Sequence, residues 1–466
     1  MRRLTFTSAL LLMTLAACSG TSGSEGAAGT AGAGGTGPVP SAAGAGEPGP
    51  AGEVVVDASK THEVQAFALG LNYWGWGPSA GSTLADTAPR MASLLPRLLR
   101  VGGRALDSST PDPFTHAELD AAVTYAQQLG AEPLLQVPLL EDGTGQAASP
   151  QTAADWVTYA NVTRGYQIRY WSIGHEPDLY VDQGDEPPSW GPTEYCDAVR
   201  AFTSAMRAVD PSIVFVGPEL SWRYTTGSND WLSPILDDCG EEFDVISVHR
   251  YPLDPGRAKA ENVYDDGEDF AKVLESLADK LSAAGMGDTP LALTETNLTW
   301  DGDPSRSTQT ASPGTFPAGL WLADAYGISL DHELWSFMPR SIQEASTLGL
   351  LASDGTPRPA YHALKLFQEH YGALRLSGSD APDGFSVYAS RTKEDDETRV
   401  IVINRNVTRN ELTFHVDGLD TSPDDFTWEM PQQSIAAVHL PDSGEASVWL
   451  YTSSDWVAGE DAHQVP

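Results

Sequence analysis

Apolar positions along this chain recur with two periods. Short β-prone runs alternate with stretches whose apolar residues return every three or four positions, the spacing of one helix face. Strands are predicted at Ala66–Tyr73, Leu98–Gly103, Glu132–Leu139, Arg169–Gly174, Ile213–Gly217, Val245–Val248, Leu291–Glu295 and Glu333–Phe337. Helices are predicted between most of them, at Ala88–Leu95, Thr115–Leu129, Thr152–Val162, Pro192–Val209, Asp269–Ala284 and Phe316–Tyr326, with Pro359–Tyr371 closing the series. The second helix carries Leu119, Val123, Ala126 and Leu129 on one face, and Pro192 suits a first helical turn. Eight strands alternating with helices over roughly 310 residues predict a parallel sheet closed into a (β/α)8 barrel. An open doubly wound sheet is the main competitor. No Gly-x-Gly-x-x-Gly opens a helix, and Val101-Gly102-Gly103 is too little to claim a nucleotide crevice.

The rhythm changes after Gly372-Ala373-Leu374. Phe385–Tyr388, Arg399–Ile403, Glu411–Val416 and Ser434–Leu440 alternate with turn-rich spacers and no long helix. This predicts a small C-terminal antiparallel β-sandwich. At the other end, Arg2 and Arg3 precede an apolar stretch from Leu4 to Leu15, too short for a membrane span and suited to export. Leu15-Ala16-Ala17-Cys18 then resembles a bacterial lipobox, which implies lipidation at Cys18; an ordinary cleaved signal is the alternative. Residues 19–52 are almost wholly Gly, Ala, Ser, Thr, Pro and Glu and predict a disordered tether. The expected division is a signal at 1–18, a linker at 19–52, a barrel at 53–372 and a sandwich at 373–466. The expected location is the outer membrane or cell surface, as an exported lipoprotein, or secretion; the membrane is met only through the lipid, and a monomer is expected.

Charge narrows the partners. The 466 residues hold 27 Lys and Arg against 64 Asp and Glu, a net charge of −37. Such a surface repels polyanions, so nucleic acid is not expected and a neutral polymer fits better than a sulfated or uronate-rich one. Acidic stretches such as Asp265–Asp269 and Asp301–Asp303 lack the twelve-residue calcium-loop pattern, and no Cys/His set has zinc spacing. Neither a metal nor an organic cofactor is expected. Beyond Cys18 the chain has Cys196 and Cys239, which outside the cytoplasm either form a disulfide or stay as two buried thiols.

Two segments carry the candidate chemistry. Tyr170-Trp171-Ser172-Ile173-Gly174-His175-Glu176 and Leu291-Ala292-Leu293-Thr294-Glu295 are β-prone runs that end on a carboxylate. They follow the fourth strand and end the seventh, which lie across a barrel mouth from each other. Chemistry in barrels sits at the C-terminal ends of strands. Two facing carboxyl groups, one protonated and one ionised, are the equipment for cleaving a glycosidic bond. Two unrelated surface glutamates are the bland alternative.

This arrangement resembles clan A glycoside hydrolases over roughly residues 60–372. Gly174-His175-Glu176-Pro177-Asp178-Leu179-Tyr180, Leu99-Arg100-Val101-Gly102-Gly103 and Ser247-Val248-His249-Arg250-Tyr251-Pro252 are most similar to the heparanase and β-glucuronidase family 79, with related patterns in families 39, 44 and 51. The resemblance implies Glu176 as acid/base and Glu295 as nucleophile. It implies that Tyr251, beside His249, hydrogen-bonds the nucleophile; Arg100, near the end of the second strand, is placed to orient Glu295 electrostatically. His175 stands where the family has Asn, which binds the sugar 2-hydroxyl; imidazole can donate or accept and could take that place. Asn72, Trp74 after the first strand and Trp335 on the eighth complete the expected substrate-binding set. The function expected is a retaining glycoside hydrolase acting on a poly- or oligosaccharide. A β-glucuronidase or arabinofuranosidase-type exo-glycosidase is the alternative within the class. A catalytically dead carbohydrate-binding lipoprotein is the alternative from another class.

Overall fold

The computed structural model describes residues 48–73, 84–109, 114–142, 145–224, 229–255, 260–264, 266–303, 312–420 and 422–465. The export segment with Cys18, most of the linker, and Trp74 lie outside the described residues. Among the described residues no helix is long and apolar enough to cross a membrane.

Eight strands form one parallel sheet in sequence order: β1 (Gly70–Tyr73), β2 (Leu98–Val101), β3 (Glu132–Val137), β4 (Tyr170–Ile173), β5 (Val214–Leu220), β6 (Val245–Arg250), β7 (Leu291–Thr296) and β8 (Ser336–Pro339). β8 returns to β1 through a parallel bridge between Leu69 and Phe337, where the Phe337 amide donates to the Ala68 carbonyl at 2.9 Å. The sheet is therefore a nearly closed barrel.

Side chains alternate between the two faces of a strand, and this alternation builds the interior in layers. Leu98, Leu134, Tyr170, Val216, Val245, Ala292 and Met338 form an apolar floor near the N-terminal ends of β2 to β8. Their neighbours Leu99, Leu135, Trp171, Phe215, Ile246, Leu293 and Phe337 belong instead to the large cluster that includes the surrounding helices. Two residues beyond the floor, the inward positions become Arg100, Gln136, Ser172, Ser247 and Thr294, all buried. The barrel interior thus turns from apolar to polar on the way to its C-terminal mouth.

The C-terminal region forms two further sheets. A seven-stranded antiparallel sheet includes Phe385–Arg391, Glu397–Asn404 and Ser434–Pro441; a four-stranded sheet includes Asn410–Asp417 and Phe426–Met430. Val400, Val402, Phe414 and Val438 from the two sheets share one apolar cluster. The expected boundary at residue 53 does not hold here. Gly52–Asp57 runs parallel to Asn410–Asp417, and Thr61–Glu63 pairs with Leu374–Leu376. Val54 and Val56, both fully buried, fill the C-terminal cluster, which is why this alternating segment leaves the barrel and closes the second sheet. Pro48 already bridges to Arg409, so the last residues assigned to the linker extend this parallel pairing.

Several short helices escape the periodicity, the longest of them Leu232–Cys239, at eight residues too short to show a clear repeat. Its last residue is joined by a disulfide to Cys196 on the helix Pro192–Val209, across 43 residues of sequence. Both sulfurs are buried. Cross-linking a loop of that length restricts the unfolded chain by roughly 4 kcal/mol. The double variant Cys196→Ala/Cys239→Ala is expected to unfold with about that much less free energy in a urea titration.

Candidate active site

Local geometry places the first carboxylate. After β4 the chain turns sharply: Gly174 has φ +77°, and a Cβ there would come within 2.7 Å of the Tyr180 hydroxyl. Glu176 itself has φ +50° and caps the short turn Pro177–Leu179. A left-handed backbone at a bulky non-glycine residue is strained and must be held by its surroundings. Buried Asp107 supplies part of that hold, accepting from the His175 amide at 2.8 Å, from the Leu139 and Leu140 amides, and from the Tyr180 hydroxyl. The second carboxylate, Glu295, ends β7 and is 1% exposed.

The two meet across the mouth. Ligand-type atoms of His175, Glu176, His249 and Glu295 all lie within 4.8 Å of one another. Their surroundings differ sharply. Burial, with the Asp178 charge behind it, pushes the Glu176 carboxyl up to about 8, so it keeps its proton at neutral pH. Glu295 is ringed by donors: the Tyr251 hydroxyl, Arg100 Nη1 at 3.4 Å and Arg340 Nη1 at 3.8 Å. Burial and the neighbouring Glu295 hold the Tyr251 phenol well above its usual range, so Tyr251 remains a donor. Glu176 thus holds a proton to give, while Glu295 accepts from Tyr251 and faces two guanidinium groups.

The histidines are neutral as well. Burial, then each other's proximity and Arg100, push His175 well below the usual imidazole range, and burial lowers His249. Arg100 Nη2 stands 3.2 Å from His175 Nδ1. A guanidinium can only donate, so Nδ1 accepts and the proton sits on Nε2. That Nε2–H lies 3.6 Å from Glu176 Oε2, while His249 Nδ1 lies 2.9 Å from Glu176 Oε1. The same tautomer argues against a metal in this cluster. A ligating histidine turns a lone pair to the ion and donates its other N–H to an acceptor. His175 faces a cation where that acceptor should be.

No protein-family profile matches the chain, and no curated protein matches it. Solved structures do. CelM2, a bifunctional glucanase-xylanase from a metagenome library, superposes with a TM-score of 0.66 at 16% identity, covering 85% of this chain and 100% of its own. A Paenibacillus polymyxa xyloglucanase of glycoside hydrolase family 44 gives 0.65 at 15% identity, covering 84% and 100%. A family 51 α-L-arabinofuranosidase from Thermotoga petrophila RKU-1 gives 0.61 at 17%, covering 86% and 98%. The chain shares the fold of these glycoside hydrolases. At such identities the likeness speaks for architecture alone.

The remaining predicted residues divide into those that join the pair and those that do not. Arg100 is fully buried beneath the site. Its Nε and Nη2 fork onto Glu219 at 2.8 and 2.6 Å, and Nη1 donates to Asn72 Oδ1 at 2.9 Å. Asn72 is a brace, its amide donating to the carbonyls of Thr294 at 2.9 Å and Pro339 at 3.2 Å. Those bonds tie β1 to β7 and β8 and engage its polar atoms inside the barrel. Trp335 is at the wrong end. β8 begins at Ser336, so Trp335 precedes the strand and packs on Phe67 and Tyr170 beside the apolar floor, with ring centroids 5.2 and 5.3 Å away. The mouth position of β8 belongs to Arg340. The glycines after β2 serve a different purpose from phosphate binding: a Cβ at Gly102 would strike Gln136, whose Oε1 accepts from the Gly103 amide.

Two residues that the sequence reading passed over also reach the site, Glu219 against Arg100 and Arg340 against Glu295. Glu219 ends the apolar run of β5 and satisfies the same strand-end criterion as Glu176 and Glu295. Its two oxygens accept from Arg100 Nε and Nη2 in a bidentate pairing beneath the site.

Proposed function

We propose that the protein is a retaining glycoside hydrolase in which Glu176 is the acid/base and Glu295 the nucleophile. The observation that carries this reading is the approach of the two glutamates to within 4.8 Å, with Glu176 held protonated. Retention needs carboxyl groups about 5 to 5.5 Å apart, whereas inversion needs about 6.5 to 9.5 Å to admit a water. In the first step Glu295 attacks the anomeric carbon from one face, while Glu176 gives its proton to the departing oxygen. The glycosyl-enzyme ester forms as the glycosidic bond breaks. Glu176, now ionised, takes a proton from water, which attacks the anomeric carbon and frees Glu295. Tyr251, Arg100 and Arg340 orient Glu295, and His249 orients the acid. His175 Nε2–H is suited to a sugar hydroxyl beside the bond being cleaved, where a donor is wanted.

A neutral glycone fits this site better than a uronate, and so favours a polysaccharide reading over a β-glucuronidase. Four arginines that a uronate carboxylate could seek already face carboxylates: Arg104 with Asp185 at 2.9 Å, Arg223 with Asp182 at 2.5 Å, Arg250 in a two-pronged contact with buried Asp266, and Arg340 at the mouth between Glu344 at 3.5 Å and Glu295 at 3.8 Å. The export segment and Cys18 complete the proposal, with the enzyme tethered by lipid at the cell surface and the linker giving it a reach of roughly 30 Å.

The acid's proton supplies the direct test. Glu176 is protonated below about pH 8 and ionised above it. With a substrate whose leaving group needs protonation, kcat/KM is expected to fall about tenfold per pH unit above that point. A rate that stays level or rises through pH 9.5 would contradict the assignment.

A further inference from the structure

Trp222 stands on the rim of the mouth, two residues past β5, and is 46% exposed. A single exposed indole needs no explanation by itself. The way this one is held does. Asp178, fully buried and two residues past Glu176, accepts from the Ser221 hydroxyl at 2.7 Å and from the amides of Ser221, Trp222 and Arg223 at 3.0, 3.4 and 3.3 Å. Burying a carboxylate is unfavourable unless donors compensate it, and here all four donors come from the three residues centred on Trp222. Arg223 then lays its guanidinium over the indole, 5.2 Å from the ring centroid, and is held there by Asp182. Both anchors belong to the segment that carries the acid. The indole is thereby fixed to Glu176 in backbone and in side chain, although β5 and β4 are separate strands.

From this we infer that Trp222 is the stacking platform for the sugar ring of the leaving group. The inference rests on the catalytic reading above and deepens it. The group that receives the Glu176 proton departs on the Glu176 side of the bond. A rigid aromatic face at that place suits the C–H face of a pyranose or furanose ring and gives nothing to a leaving group without a ring. The substrate class is therefore an oligo- or polysaccharide, with at least one sugar bound beyond the cleavage point.

The test compares Trp222→Ala and Trp222→Phe with wild type on two substrates of the same glycone. One is an oligosaccharide drawn from a panel of xylo-, cello- and arabino-oligosaccharides. The other is the glycosyl fluoride, whose leaving group has no ring. Trp222→Ala is expected to lose about 10- to 100-fold more kcat/KM on the oligosaccharide than on the fluoride, with Trp222→Phe recovering most of the difference. Equal losses on both substrates, or no loss on the oligosaccharide, would overturn the inference. Calorimetric binding of the same oligosaccharides to Glu295→Gln, with and without Trp222→Ala, decides independently of turnover. Weakening by about tenfold supports the platform; equal binding, or none to either protein, rejects it. A wild type that hydrolyses neither substrate yet binds the oligosaccharide through Trp222 would remove the catalytic reading and leave the platform standing.

Discussion

Glu295→Gln is expected to lower kcat by about 10⁴-fold or more on every substrate the wild type cleaves, since a covalent route without its nucleophile has no first step. The amide keeps the shape of the carboxylate: its oxygen can accept from Arg100, and its NH2 can donate to the Tyr251 hydroxyl, the two groups that approach separate oxygens of Glu295 on β7. Far-UV circular dichroism and the cooperativity of unfolding should therefore match wild type. The smaller variant Glu295→Ala opens a space lined by Arg100, Arg340 and Tyr251, three donors that would hold a small anion. Added azide or formate should restore part of the rate on an activated aryl glycoside and invert the product, because the anion attacks where Glu295 did. Retained turnover in Glu295→Gln would end the two-glutamate mechanism. Recovery by azide in Glu295→Ala would locate the nucleophile at this position even with the natural substrate unidentified.

That Glu176 and Glu295 come together was legible because each lies at the end of an apolar β-prone run, and a barrel puts such positions at its mouth. Glu219 obeys the same rule and was passed over because Gly217-Pro218 reads as a turn, whereas β5 continues through both to Leu220. Trp335 failed for a related reason: the last strand begins three residues later than Glu333, which moves Trp335 to the floor and brings Arg340 to the mouth. Shifts of two or three residues cost little in recognising a barrel and decide which end of it a side chain occupies. The strand Gly52–Asp57 carries a local β signal in its three valines but no sign of where it pairs. Its partner lies at Asn410–Asp417, and nothing near it in sequence distinguishes a segment of the C-terminal sheets from the start of a barrel. The state of His175 was equally out of reach, since its tautomer follows from a contact with Arg100 on another strand.

That contact network also shapes the second large effect, expected from Glu176→Ala. Loss of the acid should reduce kcat/KM about 10²- to 10⁴-fold on an alkyl glycoside or oligosaccharide, where the departing oxygen needs a proton. It should change kcat/KM far less on a dinitrophenyl glycoside or a glycosyl fluoride, whose leaving groups depart unaided. On those substrates the second step becomes limiting, because no base remains to activate water, so a burst of released leaving group equal to the enzyme concentration should precede a slow steady state. Azide, which needs no base, should accelerate that steady state and yield a glycosyl azide of retained configuration. The pH profile supplies a separate signature. Wild type should lose activity above about pH 8 as Glu176 ionises, and the alanine variant should lose that limb, since the group responsible has gone. A variant that kept the limb would move the titration to a residue other than Glu176. A uniform loss across good and poor leaving groups would instead mean that Glu176 shapes the site without giving its proton to the bond that breaks.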